Sequence, residues 1–136
     1  MKKILVCMLL GVSILFISCQ QHKPADHSAN LEGLTKITIL YPNGDGKTFD
    51  MDYYSQKHMP MLESLFGDAL KAMHIDKGVS GRTPEDSIPY LAIGYLYFDD
   101  LATYQKLFGP NAEKIIGDIP NYTNIQPLIQ ISEVVR

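Results

Sequence analysis

YPNGDGKTFDMDYYSQKHMPML, residues 41–62, is the stretch from which the fold can be read. It turns a strand into a helix. Pro42-Asn43-Gly44-Asp45-Gly46 is a turn-forming cluster that ends the strand. Its glycines lack the spacing and the lysine-serine ending of a phosphate loop. Asp50 then has the position and chemistry of a helix N-cap, and Phe49 and Tyr54 have the spacing of a hydrophobic staple. Tyr54 and His58 are four residues apart and share a helix face. Pro60 removes a backbone hydrogen bond just after His58, which predicts a bend at the imidazole. The same pattern suits a chemical site or a packed kink.

Working outward, Lys36–Tyr41 (KITILY) is rich in β-branched residues and predicts the first strand. After the helix, with Tyr54, His58, Met61, Leu62 and Leu65 on its apolar face, Gly67 is a stop signal. Ala69–Val79 alternates as a second strand, with Leu70, Ala72 and His74 on one side. Tyr90–Phe98 (YLAIGYLYF) is a third strand, apolar on both faces. Asp99 or Asp100 caps a second helix running to Phe108. Pro110–Gly117 predicts a separate short helix. Asn124–Val135 is the last strand, and Pro127 within it favours a sheet edge or a bulge. The order βαββαβ predicts an α+β, ferredoxin-like fold, a four-stranded antiparallel sheet with both helices on one face. The other face is too apolar for water, so a two-fold homodimer packed sheet to sheet is expected.

The chain ahead of this domain has a different character. Lys2 and Lys3 precede an uncharged, mostly apolar run of 14 residues, Ile4–Ile17, which is short for a membrane span of about 20 residues and suits a signal peptide. Leu15-Phe16-Ile17-Ser18-Cys19 resembles a bacterial lipobox, with Phe16 where Leu is usual. Residues 1–18 therefore read as a signal peptide. Residues 19–33 read as a lipidated Cys19 and a polar tether, in which His22 and His27 are solvated rather than metal-bound. Residues 34–136 form one domain. The other of the two cysteines, Cys7, lies in the leader, so the mature domain has no thiol beyond Cys19 and relies on its core. Net charge is −3; loss of Lys2 and Lys3 leaves 10 basic against 15 acidic residues, −5. That balance excludes nucleic acid as a partner. Contact with the membrane is expected through the lipid alone, at the bacterial cell envelope.

Tyr41-Pro42-Asn43, Phe49-Asp50, Asp52-Tyr53-Tyr54, His58-Met59-Pro60 and the closing Tyr122-Thr123-Asn124-Ile125-Gln126-Pro127 together resemble the EthD family of dimeric α+β barrel proteins. The resemblance spans about Leu34–Val135. It implies a cofactor-free protein with a cleft between helices and sheet. Similar proteins include a methylmuconolactone isomerase, and other barrels of this type are decarboxylases, monooxygenases and cyclases. Gly78-Val79-Ser80-Gly81 is no nucleotide fingerprint. An exported copy departs from relatives that look cytoplasmic.

The resemblance makes His58 the family histidine, projecting into a cleft of roughly a few hundred Å³. Its near-neutral titration suits proton transfer. Tyr54 would orient His58 or hold a substrate oxygen. His74, Tyr41 and Tyr95 or Tyr97 would complete a ligand-binding lining. No metal ligands are expected. Two functions follow: cofactor-independent proton-transfer chemistry on a small oxygenated molecule of lactone, phenol or quinone type, or non-catalytic binding of a small ligand in the same cleft. For the leader, Cys19→Ser should release the protein from the membrane fraction on cell fractionation; equal membrane retention would refute lipidation at Cys19.

Overall fold

The computed structural model describes residues 30–136; the leader, Cys19 and the tether up to residue 29 lie outside the described residues. Strands β1 (Thr35–Pro42), β2 (Ala72–Lys77), β3 (Tyr90–Phe98) and β4 (Leu128–Glu133) form one sheet in the order β2-β3-β1-β4. Every neighbouring pair is antiparallel. Helices α1 (Met51–Tyr53), α2 (Met59–Phe66) and α3 (Leu101–Asp118) cover one face. This is the ferredoxin-like βαββαβ arrangement that the element order predicts.

Asp50 caps α1, its Oδ1 accepting the Tyr53 N–H at 2.9 Å, and the Phe49 and Tyr54 rings meet at 5.1 Å to close the staple. Asp100, rather than Asp99, caps α3 by accepting the Thr103 N–H at 2.7 Å. Between α1 and α2 the chain makes a π-helical turn, Tyr54–His58. Pro60 is the physical cause: it has no N–H, and its ring would strike the carbonyl four residues back in a regular helix. Widening the turn removes that conflict, and the Met59 N–H bonds to the Tyr54 carbonyl instead. The expected bend is thus a bulge in a continuous helical run.

Several expected boundaries move. Pro110 does not divide α3, which runs unbroken to Asp118. Lys106, Gly109 and Pro110 are all exposed, so the bond that Pro110 removes lies at the solvent-facing side, and Asn111 Nδ2 donates to the Leu107 carbonyl at 2.8 Å across the same stretch. β2 and β4 are shorter than expected. Val79 is 86% exposed beyond β2, and β4 starts only after Pro127, at the sheet edge.

The core lies between helices and sheet. Ile37, Ile39 and Tyr41 of β1 and Ala92, Leu96 and Phe98 of β3 face Tyr54, Met59, Leu62 and Phe66. Gly94 sits among them, opposite Ile39 and Ile75 in the register. A Cβ at Gly94 would collide with the Tyr54 hydroxyl, so this glycine is a matter of space. The hydroxyl itself is buried without a hydrogen-bond partner. Gly94→Ala should therefore cost about 1–3 kcal/mol by overpacking, and Tyr54→Phe should recover most of the loss in the double variant. Chemical denaturation of the four proteins measures this coupling, and a harmless single Gly94→Ala would show that the contact does not constrain the core.

Candidate active site

The π-helical turn sets two rings side by side. Tyr54 and His58 stack with centroids 5.6 Å apart and planes 17° from parallel. His58 is only 3% exposed. Its Nδ1 lies 2.8 Å from Asp118 Oδ2, at the last residue of α3. The other carboxylate oxygen of Asp118 accepts the Tyr53 hydroxyl at 2.9 Å and Asn121 Nδ2 at 2.8 Å. On the far side of the imidazole, Nε2 is 3.3 Å from the Tyr122 hydroxyl, which is 2.7 Å from the Tyr41 hydroxyl. One connected polar chain therefore runs from Asp118 through His58 and Tyr122 to Tyr41, walled by aromatic rings.

The closing segment holds Tyr122 in place. A 3₁₀ turn, Ile119–Asn121, reverses the chain after α3. The Tyr122 carbonyl accepts the Asp50 N–H at 2.7 Å. The Thr123 hydroxyl donates to the Thr48 carbonyl at 2.7 Å, and the Asn124 side chain bonds both Thr48 N–H and the Gly46 carbonyl. The loop entering α1 and the segment leaving α3 are thereby fastened together, which fixes the distance between His58 and its partners.

Electrostatics assigns the protons. Burial drives the His58 pKa below its ordinary value, against the upward pull of the Asp118 hydrogen bond and charge. Burial would raise the Asp118 pKa, yet the hydrogen bonds from His58, Asn121 and Tyr53 more than offset it and hold the carboxyl below the usual range. At neutral pH the pair is thus carboxylate and neutral imidazole. An ionised carboxylate only accepts, so the ring proton sits on Nδ1 and Nε2 keeps its lone pair. Burial raises the pKa of Tyr41, Tyr54 and Tyr122, so these tyrosines remain protonated donors. Nε2 is the basic atom of the cluster.

His58 and Tyr41 line a cavity of about 170 Å³ between helices and sheet, smaller than expected, with Leu62, Phe66, Phe108 and Ile115 among its walls. The buried lining is on β1, β3 and the helices; the exposed members, Ile116, Ile129 and Gln126, mark a mouth between α3 and the chain leading into β4. Tyr54 stands behind His58 with its hydroxyl against Gly94, so it supports the imidazole by packing and makes no hydrogen bond to it. His74, Tyr95 and Tyr97 are not at the cavity. The register pairs His74 with Tyr95 and Ala72 with Tyr97, on the sheet face opposite Leu96 and Phe98. Alternation relates Tyr95 to Tyr97 within one strand, but it gives neither the register that sets His74 beside them nor the side of the sheet that the helices cover. Asp118 was not expected as a site residue, and Tyr53 and Tyr122 were expected only as parts of motifs. The available signal was an acidic residue at the end of a helix, where the dipole disfavours it. Among the described residues no group of three or more His, Cys, Asp or Glu side chains is placed to hold a metal ion.

Fold and site together define a small ferredoxin-like α+β protein with a buried histidine–carboxylate pair at an apolar cavity. The EthD domain family matches residues 46–126, and the chain belongs to that family. An EthD-like protein from Ralstonia eutropha JMP134 is 33% identical, with a TM-score of 0.73 over 77% of this chain and 95% of that one. An ethyl tert-butyl ether D (EthD) family protein from Bacillus halodurans C-125 is 19% identical, with a TM-score of 0.49 over 74% of this chain and 97% of that one. Nothing among curated proteins matches.

The depressed His58 pKa gives the pair a sign in pH. The unfolded chain takes up a proton near pH 6.5 while the folded chain does so only lower, so folding stability falls as pH drops through that value and towards the folded pKa. Asp118 adds a further loss at more acid pH, below the ordinary aspartate value of 3.8. NMR titration should place the His58 midpoint below 6.5. Asp118→Asn should lower it further by removing the groups' attraction for the imidazolium. A midpoint at or above 6.5 in the wild type would contradict the burial argument.

Proposed function

We propose that this chain is an EthD-family enzyme of the cofactor-independent kind, moving a proton on a small oxygenated organic molecule of lactone, phenol or quinone type. The observation that carries the reading is the 2.8 Å hydrogen bond between His58 Nδ1 and Asp118 at the wall of the cavity. This histidine is oriented by a carboxylate, and its unprotonated Nε2 has only the long 3.3 Å contact with the Tyr122 hydroxyl, which a substrate can displace. In the proposed step Nε2 takes a proton from an O–H or from a carbon beside a carbonyl. The bonding pair moves into the substrate oxygen, and Asp118 stabilises the imidazolium. The Tyr41 hydroxyl, kept protonated by burial, is a donor for the oxygen that gains charge. Return of the proton to another atom completes an isomerisation and restores neutral His58.

The reading includes a homodimer and an envelope anchor. The uncovered sheet face carries half-buried Leu40, Leu91, Ile93 and Tyr95, which supports sheet-to-sheet pairing across a two-fold axis. The apolar leader ending in Ser18-Cys19 supports lipidation. Among the described residues no helix is long and apolar enough to cross a membrane.

The test is paired. His58→Gln and His58→Ala should lower turnover, or solvent-deuterium exchange into a panel of lactones and phenols, by about two to four orders of magnitude. Thermal melting of the same proteins must show that they remain folded. Lower stability with activity in proportion to the folded fraction would eliminate the catalytic role.

A further inference from the structure

The cavity behind His58 carries information about the charge and size of what it holds. No charged side chain among the described residues lines it. Its walls are hydrocarbon, from Ile37, Ile39, Leu62, Leu96 and Ile115, with Phe66 and Phe108 beside them. Polar groups occur at three places. His58 and Tyr41 sit at the buried end, and Gln126 is exposed at the mouth; the hydroxyl of half-buried Tyr104 is the remaining polar group in the lining. Ile116 and Ile129, the exposed aliphatic members of the rim, are 54% and 52% exposed.

We infer that the ligand of this cavity is an uncharged single-ring molecule with one oxygen function, seated oxygen-inward against His58 and Tyr41. The inference deepens the proton-transfer reading and rests on His58 being the base of the same site. Size gives the first limit. An apolar cavity of about 150 Å³ accommodates benzene, so 170 Å³ takes one ring with a small substituent and leaves no room for a fused second ring inside. Charge gives the second. A carboxylate at the buried end would lose its water, meet no Lys or Arg in the lining, and face the ionised Asp118 across the imidazole. A neutral phenol or lactone oxygen meets the opposite situation. A ligand O–H displaces the Tyr122 hydroxyl from its long 3.3 Å contact with Nε2; Tyr122 then donates to Tyr41, whose own hydroxyl hydrogen is free to donate to a carbonyl. The oxygen then orients the ligand, because the walls between the buried end and the mouth are hydrocarbon apart from the Tyr104 hydroxyl.

Three commercially available probes of one shape separate these claims: p-cresol, toluene and p-toluate, titrated at pH 7.5 against the described domain within the full chain and followed by NMR. Expected are nuclear Overhauser contacts from p-cresol to the His58 ring and the Ile129 methyls. Toluene should bind about tenfold more weakly, having lost one hydrogen bond, and p-toluate about a hundredfold more weakly, carrying a buried charge without a partner. His58→Gln, which keeps the volume and one polar end, should narrow the gap between p-cresol and toluene. The inference is overturned if p-toluate binds as tightly as p-cresol, if toluene equals p-cresol, or if p-cresol makes no contact inside the cavity. The two readings fail separately. Bound p-cresol without proton exchange on any neutral panel member refutes the enzyme and keeps the ligand class; exchange confined to carboxylated substrates refutes the ligand class and keeps the enzyme.

Discussion

Proline 60 has no N–H to give, and the arrangement of the site follows from that. A regular α-helix through this position would carry an unfilled carbonyl and a steric conflict one turn back. The π-helical turn Tyr54–His58 absorbs both. It also sets the directions of the two side chains at its ends. Tyr54 runs down onto Gly94 of β3, and His58 turns towards the end of α3. A π-bulge is a strained alternative to the α-helix and is found mostly where a site needs it. Here its strain is met by packing: Tyr54 and Met59 are fully buried, and four aromatic rings, Tyr41, Phe49, Tyr54 and Tyr122, contact one another edge to face or tilted.

Asp118 is the counterpart on the other helix. A carboxylate in the last turn of α3 opposes the helix dipole, an effect of up to about 1 kcal/mol in the unfavourable direction. Three donors face it: His58 Nδ1, the Tyr53 hydroxyl and Asn121 Nδ2. Two of these come from the first helical run and one from the 3₁₀ turn after α3, so the carboxylate joins both helical layers at one point. Charge-assisted hydrogen bonds are stronger than neutral ones, and their loss would leave a buried imidazole without a partner. This is why an unfavourable helix-end position is tolerable here, and why the carboxylate is held in one orientation towards the ring.

The legibility of these features in the sequence follows the range of the physics involved. The strand Tyr90–Phe98, the Asp50 cap and the Phe49–Tyr54 staple depend on neighbours a few residues apart, and each is where local pattern places it. His58 was legible as a helical histidine next to a proline and through resemblance. Asp118 is 60 residues away from His58; its acidic side chain at a helix end is a local oddity, but nothing local names His58 as its partner. The sidedness of the sheet is also non-local. His74, Tyr95 and Tyr97 share a face through the strand register, yet which face the helices cover is decided by the packing of α2 and α3 against Ile37, Leu96 and Phe98. Pro110 errs in the opposite direction: the local rule predicts a break, but a solvent-facing site and the surrounding amphipathic face of α3 carry the helix through it.

Burial and ionisation pull His58 in opposite directions, and the balance between them suits a base. Desolvation alone would push the imidazole so far towards neutrality that it would bind a proton poorly. Asp118 opposes that push, by hydrogen bond and by charge, without itself becoming protonated. The ring therefore stays neutral and available at ordinary pH, while the imidazolium formed on taking a proton has a fixed counter-charge 2.8 Å away. The tyrosines complete the balance. Their pKa values are raised by burial, so they stay protonated and do not compete for the proton as phenolates. Because His58, Tyr41 and Tyr122 are buried, each of these preset interactions acts at a lower effective dielectric than in solution. One neutral imidazole, one fixed carboxylate and two hydroxyls, one accepting from the other, thus form a single hydrogen-bonded line that meets the cavity at His58 and Tyr41.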